Sequence, residues 1–181
     1  QYDISEYDLA MFHLDKTSEE DLILFDRGYG AIWWFYYLTI KRVNFVVRLQ
    51  QNFVFEINQF WDSKETSRVI EITRCPRKSA DQLKKMNLEF KPFEIRLVKV
   101  ILPNGDVEVL ATSLIDGEKY LTEEFGDLYF KRWSVEVNYN HLKNNIQLEN
   151  FTGLSSITIK QDFYANMFIA NMQAIIARDA Q

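Results

Sequence analysis

The sequence predicts an α/β fold: a parallel strand pair, then a block of antiparallel strands, then helices. Three observations predict it. The run LILF at 22–25 is short, wholly apolar and stopped by a charge, Asp26; a strand covered on both faces looks like this. Residues 31–42, AIWWFYYLTIKR, are apolar on almost every side and too long for a strand after a glycine turn, so they predict a buried helix. NFVVRL at 44–49 then gives a second strand. Strand, helix and strand in succession form a crossover, so the two strands run parallel.

The remaining elements follow in order. Residues 3–14 predict an amphipathic helix, with Ile4, Tyr7, Leu9, Met11, Phe12 and Leu14 among acids. From about 50 to 115 the pattern changes to period two with frequent breaks. VIEITR (69–74), FEIRLVKVIL (93–102) and VEVLATSLI (107–115) read as strands, and Pro103-Asn104-Gly105-Asp106 supplies an Asn-Gly hairpin between the last two. Between the first two, RCPRKSADQLKKMN reads as a loop carrying Arg77, Lys78, Lys84 and Lys85. Thr122 reads as the N-cap of a helix with Glu123 and Glu124 in its first turn. That helix runs to about 146, with Leu128, Val135, Tyr139, Leu142 and Ile146 as its apolar stripe. A last helix spans about 157–178, with Ile159, Phe163, Met167, Ala170 and Ala174 along one side.

Composition bounds the function. With 181 residues and 47% apolar side chains the chain is expected to form one domain, or one domain with an insertion, around a real core. The lone Cys75 excludes an internal disulfide, which fits a reducing compartment. No apolar run reaches the roughly 18 residues of a membrane span, and the N-terminal residues lack signal-peptide character. The net charge of −5 is unevenly spread: residues 1–26 hold eight acids and one base, residues 68–99 nine bases and four acids. An acidic chain can therefore still present a basic surface.

The densest chemistry is Tyr129, Arg132, Glu136 and Lys143, within LYFKRWSVEVNYNHLK. On one continuous helix at 100° per residue they would share an arc of about 60°. A carboxylate flanked by a guanidinium, an ammonium and a phenol suits a place where a metal ion meets phosphate. Asp26, just past a buried parallel strand, stands at the sheet's carboxyl end, where open α/β folds place their sites. Asp26 and Glu136 are hard oxygen ligands fit for Mg²⁺ or Mn²⁺. Arg132 can hold a phosphate bidentately and Lys143 adds a point charge. The plainer readings are an Arg132–Glu136 surface ion pair, worth about 0.3–0.5 kcal/mol, and an Asp26 that merely caps the next helix. His13 and His141 lack zinc spacing, Cys75 lacks a visible activating base, and no glycine-rich phosphate loop occurs.

These residues resemble a known family. Asp26-Arg27-Gly28-Tyr29 after a buried strand resembles the DRGY block of bacterial insertion-sequence DDE transposases of family four. Tyr129-x2-Arg132-x3-Glu136-x6-Lys143 resembles that family's YREK signature, and Tyr-x-x-Arg-Trp-x-Val-Glu and the Leu-Lys at 142–143 also match. Val46-Val47-Arg48 resembles the strand after the second acid, and LENFTG at 148–153 the downstream turn. The resemblance spans most of the chain and is weakest across 50–115.

The resemblance implies an RNase H-like core with an antiparallel β-strand insertion (about 50–118) between the second catalytic Asp and the helical part, about 119–181, that carries the catalytic Glu. It implies cut-and-paste DNA transposition through a hairpin intermediate, on element terminal inverted repeats and target DNA, by a homodimer in the bacterial cytoplasm. Asp26 and Glu136 would be the second and third acids and metal ligands, with two Mg²⁺ or Mn²⁺ ions in the complete site. Tyr129, Arg132 and Lys143 would bind DNA phosphates. The pattern departs in one respect. The family's first Asp lies on a core strand well upstream, whereas Asp3, Asp8, Asp15 and Asp21 lie close to Asp26 in helix or turn. The 181 residues alone are therefore expected to be inactive. A non-catalytic DNA-binding remnant and another RNase H-like nuclease remain as alternatives.

Overall fold

The computed structural model describes residues 5–102, 105–145 and 150–179, without the side chains of Trp133, Ser134, Glu136, Asn138, His141, Asn145, Arg178 and Asp179. The chain forms two compact units, Gln1–Tyr129 and Phe130–Gln181.

The first unit is built on a mixed five-stranded sheet. In chain order its elements are α1 (Glu6–Leu14), β1 (Leu22–Phe25), α2 (Ile32–Ile40), β2 (Asn44–Arg48), α3 (Phe55–Asp62), β3 (Ser67–Ile72), α4 (Arg77–Lys85), β4 (Phe93–Ile101) and β5 (Val107–Thr112); α5 (Glu124–Phe130) follows. The strand order is β1-β2-β5-β4-β3. β1 and β2 pair in parallel, Leu24 opposite Val46. β5 joins β2 antiparallel, Val47 opposite Ala111, and β4 pairs antiparallel with both β5 and β3. The antiparallel strands thus continue the sheet begun by β1 and β2. The expected hairpin joins β4 and β5; Gly105 has φ +87, where glycine pays no steric penalty, and Pro103-Asn104 lie outside the described residues.

Strand alternation divides the core between two faces. Phe45, Val47, Ile95, Leu97, Val109 and Ala111 point to one side, packed with Trp34, Phe35 and Leu38 of α2 and with Ile57 and Phe60 of α3. Val46, Val98 and Leu110 point to the other, packed with Phe125 and Tyr129 of α5. The aromatic run of α2 is core: Trp34, Phe35 and Leu38 have no exposed surface. At about 25 cal/mol per Å² of buried apolar area, such rings carry much of the unit's stability.

Several expectations need correcting. Only Phe25 of β1 is buried, because β1 stands at one edge of the described sheet rather than between two strands. In α1, which a Ser5–Asp8 capping box opens, Leu9 and Phe12 are exposed; Ile4 lies outside the described residues. The stretch 50–115 is not purely strand and loop: α3 buries Ile57 and Phe60, and the expected basic loop is helix α4. Pro76 precedes α4, where its missing N–H costs nothing. Asn87, at φ 55, ends it with Leu88 N–H bonded back to the Leu83 carbonyl at 2.9 Å.

The largest correction concerns the expected helix from 122 to 146. It is three pieces: α5, then α6 (Trp133–Asn140), then a π-helical turn, His141–Asn145. A turn at Lys131-Arg132 separates α5 from α6, and the Val135 N–H bonds the Arg132 carbonyl at the new start. Two valines and four asparagines between Val135 and Asn145 are weak helix formers, and a π-turn takes more residues per turn than 3.6. The 100° wheel behind the single four-residue face therefore fails. Of the expected stripe, Val135 and Tyr139 are exposed; Ile146 and Leu148-Glu149 lie outside the described residues. The last helix, α7 (Ser156–Asp179), falls where expected, with Ile159, Met167 and Ala170 on its half-buried side.

Candidate catalytic edge of the sheet

Asp26 leaves β1 at the carboxyl end of the parallel pair, between buried Phe25 and a 3₁₀ turn, Arg27–Tyr29. It is exposed. Its backbone is extended (φ −74, ψ 168) and its carboxylate does not cap the turn, so the capping role does not account for it. The turn is pinned from several sides. Tyr29 N–H bonds the Asp26 carbonyl at 3.0 Å, and the Tyr7 hydroxyl donates to the Gly28 carbonyl at 3.0 Å. The Tyr29 ring meets Tyr7 and Phe25, each at 5.1 Å between centroids. Burial, with Tyr29 and Glu6 nearby, pushes the Tyr7 hydroxyl up to about 12, so it stays a donor at any physiological pH. The turn that follows Asp26 is thus held by hydrogen bonds and ring contacts on both sides.

Two clefts of the first unit border this turn. One, about 410 Å³, is lined by Glu6, His13, Asp26 and Tyr29 among others. The other, about 390 Å³, takes in Arg27, Arg48, Gln50, Trp61 and Glu108. Arg48, at the end of β2, pairs with Glu108 of β5 at 2.5 Å, so its guanidinium is neutralised by a partly buried partner.

Tyr129 is buried, and its hydroxyl donates to the Phe25 carbonyl at 3.2 Å. It is thereby tied to the residue preceding Asp26. To bind a phosphate by donation, Tyr129 would have to give up that bond. Arg132 lies half-exposed in the turn after α5, Glu136 is in α6, and Lys143 is exposed in the π-helical turn. The Glu136 side chain lies outside the described residues, and with it the expected Arg132–Glu136 ion pair.

Among the described residues no group of three or more His, Cys, Asp or Glu could hold a metal ion. Asp26 fits a hard divalent ion as one rigid oxygen ligand. Among the aspartates that precede it in sequence, Asp8 caps α1, Asp15 lies 3.9 Å from Lys41, and Asp21 accepts from Ser18 N–H at 2.8 Å; Glu6 lines the cleft beside Asp26. Asp3 lies outside the described residues. Burial pushes the Cys75 thiol up, away from nucleophilic use.

Comparison with known proteins gives this edge its context. The sequence model of the family described as the transposase DDE domain matches residues 3–172. The chain belongs to this family. It is also 25% identical over 150 residues, 82% of its length, to the transposase InsG for insertion sequence element IS4 of Escherichia coli (strain K12). The chain spans about a third, 32%, of the length of that curated relative. No helix among the described residues of this DDE domain is long and apolar enough to cross a membrane.

One charged residue of the domain was not legible as important. Arg96 of β4 is 2% exposed. Its Nε donates to Ser67 Oγ at 2.7 Å, Nη1 to the Tyr120 carbonyl at 2.6 Å and Nη2 to Thr122 Oγ1 at 2.8 Å. It also lies 5.3 Å over the Phe125 ring. Burial pulls this guanidinium down, against Asp116 and Glu123, which hold it up. Thr122, expected as a helix cap, instead receives Arg96. The arginine thus clamps the segment entering α5 onto the sheet, and α5 carries Tyr129. The signal was an arginine on the same strand face as Val98, directly flanked by Ile95 and Leu97.

Proposed function

We propose that this chain is the part of a DNA transposase carrying the second and third acids of its cutting site, Asp26 and Glu136. The reaction is metal-dependent cleavage of insertion-element ends and their transfer to target DNA, by cut-and-paste with a hairpin intermediate. The observation that carries this reading is the rigid, exposed Asp26 at the carboxyl end of β1, in a chain matched to the transposase DDE domain over residues 3–172. The YREK spacing of Tyr129, Arg132, Glu136 and Lys143 supports it.

Each residue has a role in this reading. Asp26 and Glu136 bind Mg²⁺ or Mn²⁺, two ions in the complete site. The ions, when bound, supply Lewis-acid activation and charge neutralisation at phosphate. Arg132 grips a phosphate through its planar fork, and Lys143 adds long-range attraction. Residues 50–118 are the family's insertion, grown onto the core sheet at β2. The first acid is supplied from outside these 181 residues, consistent with the local uses of Asp8, Asp15 and Asp21. The working enzyme pairs two element ends in a homodimer.

Glu136→Gln in the complete transposase tests the reading. Cleavage of element-end DNA is expected to vanish while DNA binding persists; retained cleavage removes Glu136 from the site.

A further inference from the structure

Helix α4 turns one face wholly to solvent, and that face is cationic. Ser79 and Leu83 anchor the helix in the core, and at 100° per residue they lie at about 200–240° when Arg77 is set to zero. Arg77, Lys78, Lys84 and Lys85 fall on the opposite arc, from about 340° through zero to 100°. All four are exposed, as are Arg74 before the helix and Lys91 after it.

Segment 74–91 holds these six bases against two acids, Asp81 and Glu89, in a chain of net charge −5. Among the described residues none of the six is within ion-pair distance of an acid, whereas Lys41, Arg42, Arg48 and Arg68 each pair with a carboxylate. Asp81, on the same face, pairs with none of them. A solvated face that served only solubility would mix and pair its signs; this one sets four unpaired cations against one acid, Asp81. Arg77 to Lys84 and Lys78 to Lys85 form two rows, each about 10 Å long at 1.5 Å per residue.

None of the four helix bases lines either cleft beside the Asp26 turn. Phe25, the last residue of β1, is level with Val47, Ala111 and Leu97 across the sheet, whereas β3 leaves the sheet at Ile72, opposite Phe93 and beyond the other end of β1. The connection bearing α4 therefore springs from the end of the sheet opposite Asp26.

We infer that the α4 face is a second DNA contact, docking the phosphate backbone of duplex DNA without reading its sequence. The partner follows from charge: four exposed lysines and arginines around a single unpaired acid, Asp81, with Arg74 and Lys91 at either end, on an acidic protein, complement a regular polyanion, and phosphate neutralisation releases counterions. The inference takes DNA as the partner from the proposed function, but it does not depend on Asp26 or Glu136 cutting anything.

The test is a salt titration of this chain binding a fluorescent duplex that lacks element-end sequence, beside the variant R77Q/K78Q/K84Q/K85Q. Equal thermal melting of the two would exclude misfolding. The variant should bind at least tenfold more weakly at low salt, with the slope of log K against log salt shallower by about 0.9 for each phosphate that is no longer neutralised. K41Q/R68Q, which removes ion-paired cations, should leave both quantities unchanged. An unchanged affinity and slope in the quadruple variant overturns the inference. So does failure of the wild-type chain to bind duplex, or equal losses on anionic vesicles and on DNA. If the catalytic assignment fails, Asp26→Asn still cuts in the complete transposase while the slope test stands; if the patch fails, the slope is the same in parent and quadruple variant while Asp26→Asn still abolishes cutting.

Discussion

The hydroxyl of Tyr129 donates to the main-chain carbonyl of Phe25 at 3.2 Å, across 104 positions of sequence. This bond ties α5 to the strand end from which Asp26 projects. Tyr129→Phe keeps the ring and removes the bond. It should cost about 1 kcal/mol and lower the melting temperature by about 2–4 °C. An unchanged melting curve would show that the bond contributes nothing.

Arg96 should be far less replaceable. Arg96→Met leaves Ser67, the Tyr120 carbonyl and Thr122 without their charged donor and should cost about 3 kcal/mol in a denaturant titration. Arg96→Lys should not restore the loss, because a single ammonium on a flexible stem cannot reproduce three donations from a planar fork. Full rescue by lysine would mean that charge alone matters at this position.

Tyr7 predicts an alkaline weakness. Its hydroxyl titrates near 10 when unfolded and at about 12 when folded. Between those values the folded state keeps a proton that the unfolded state has lost, so stability falls as pH rises from 10 to 12 and Tyr7 adds no pH dependence below 10. Tyr7→Phe should flatten that part of the curve in unfolding titrations across the range. A variant as alkali-sensitive as the parent would place the titration elsewhere, with Tyr29, which burial and Glu6 also push up, as the next residue to replace.

What the sequence disclosed divides along physical lines. β1, α2, β2, β4, β5 and α7 were legible because each has a continuous apolar run or a clear period. α4 was not: it buries only Ser79 and Leu83, so its pattern is nearly all polar, and Pro76 read as a turn instead of a helix start. α3 was lost because FVFEI mimics strand alternation, although Ile57 and Phe60 lie on one helical face. The break at Lys131-Arg132 left no local mark beyond the weak helix propensity of the residues after it. Asp26 was read correctly as a strand-end carboxylate. The hold on it from Tyr129 was not, because a hydrogen bond to a main-chain carbonyl carries no residue-type signature.

The 181 residues alone should show no Mg²⁺-dependent nicking of element-end DNA, since the proposed site needs a first acid that Asp8, Asp15 and Asp21, each in local use, do not supply. Nicking in a purified preparation, lost in Asp26→Asn, would mean that one of the acids in this chain completes the site.

The assignment of Asp26 is tested most directly by replacing it with asparagine in the complete transposase and measuring Mg²⁺-dependent cleavage and binding of element-end DNA side by side. Cleavage is expected to disappear while binding stays within about twofold. Cleavage at the parent rate would contradict the assignment.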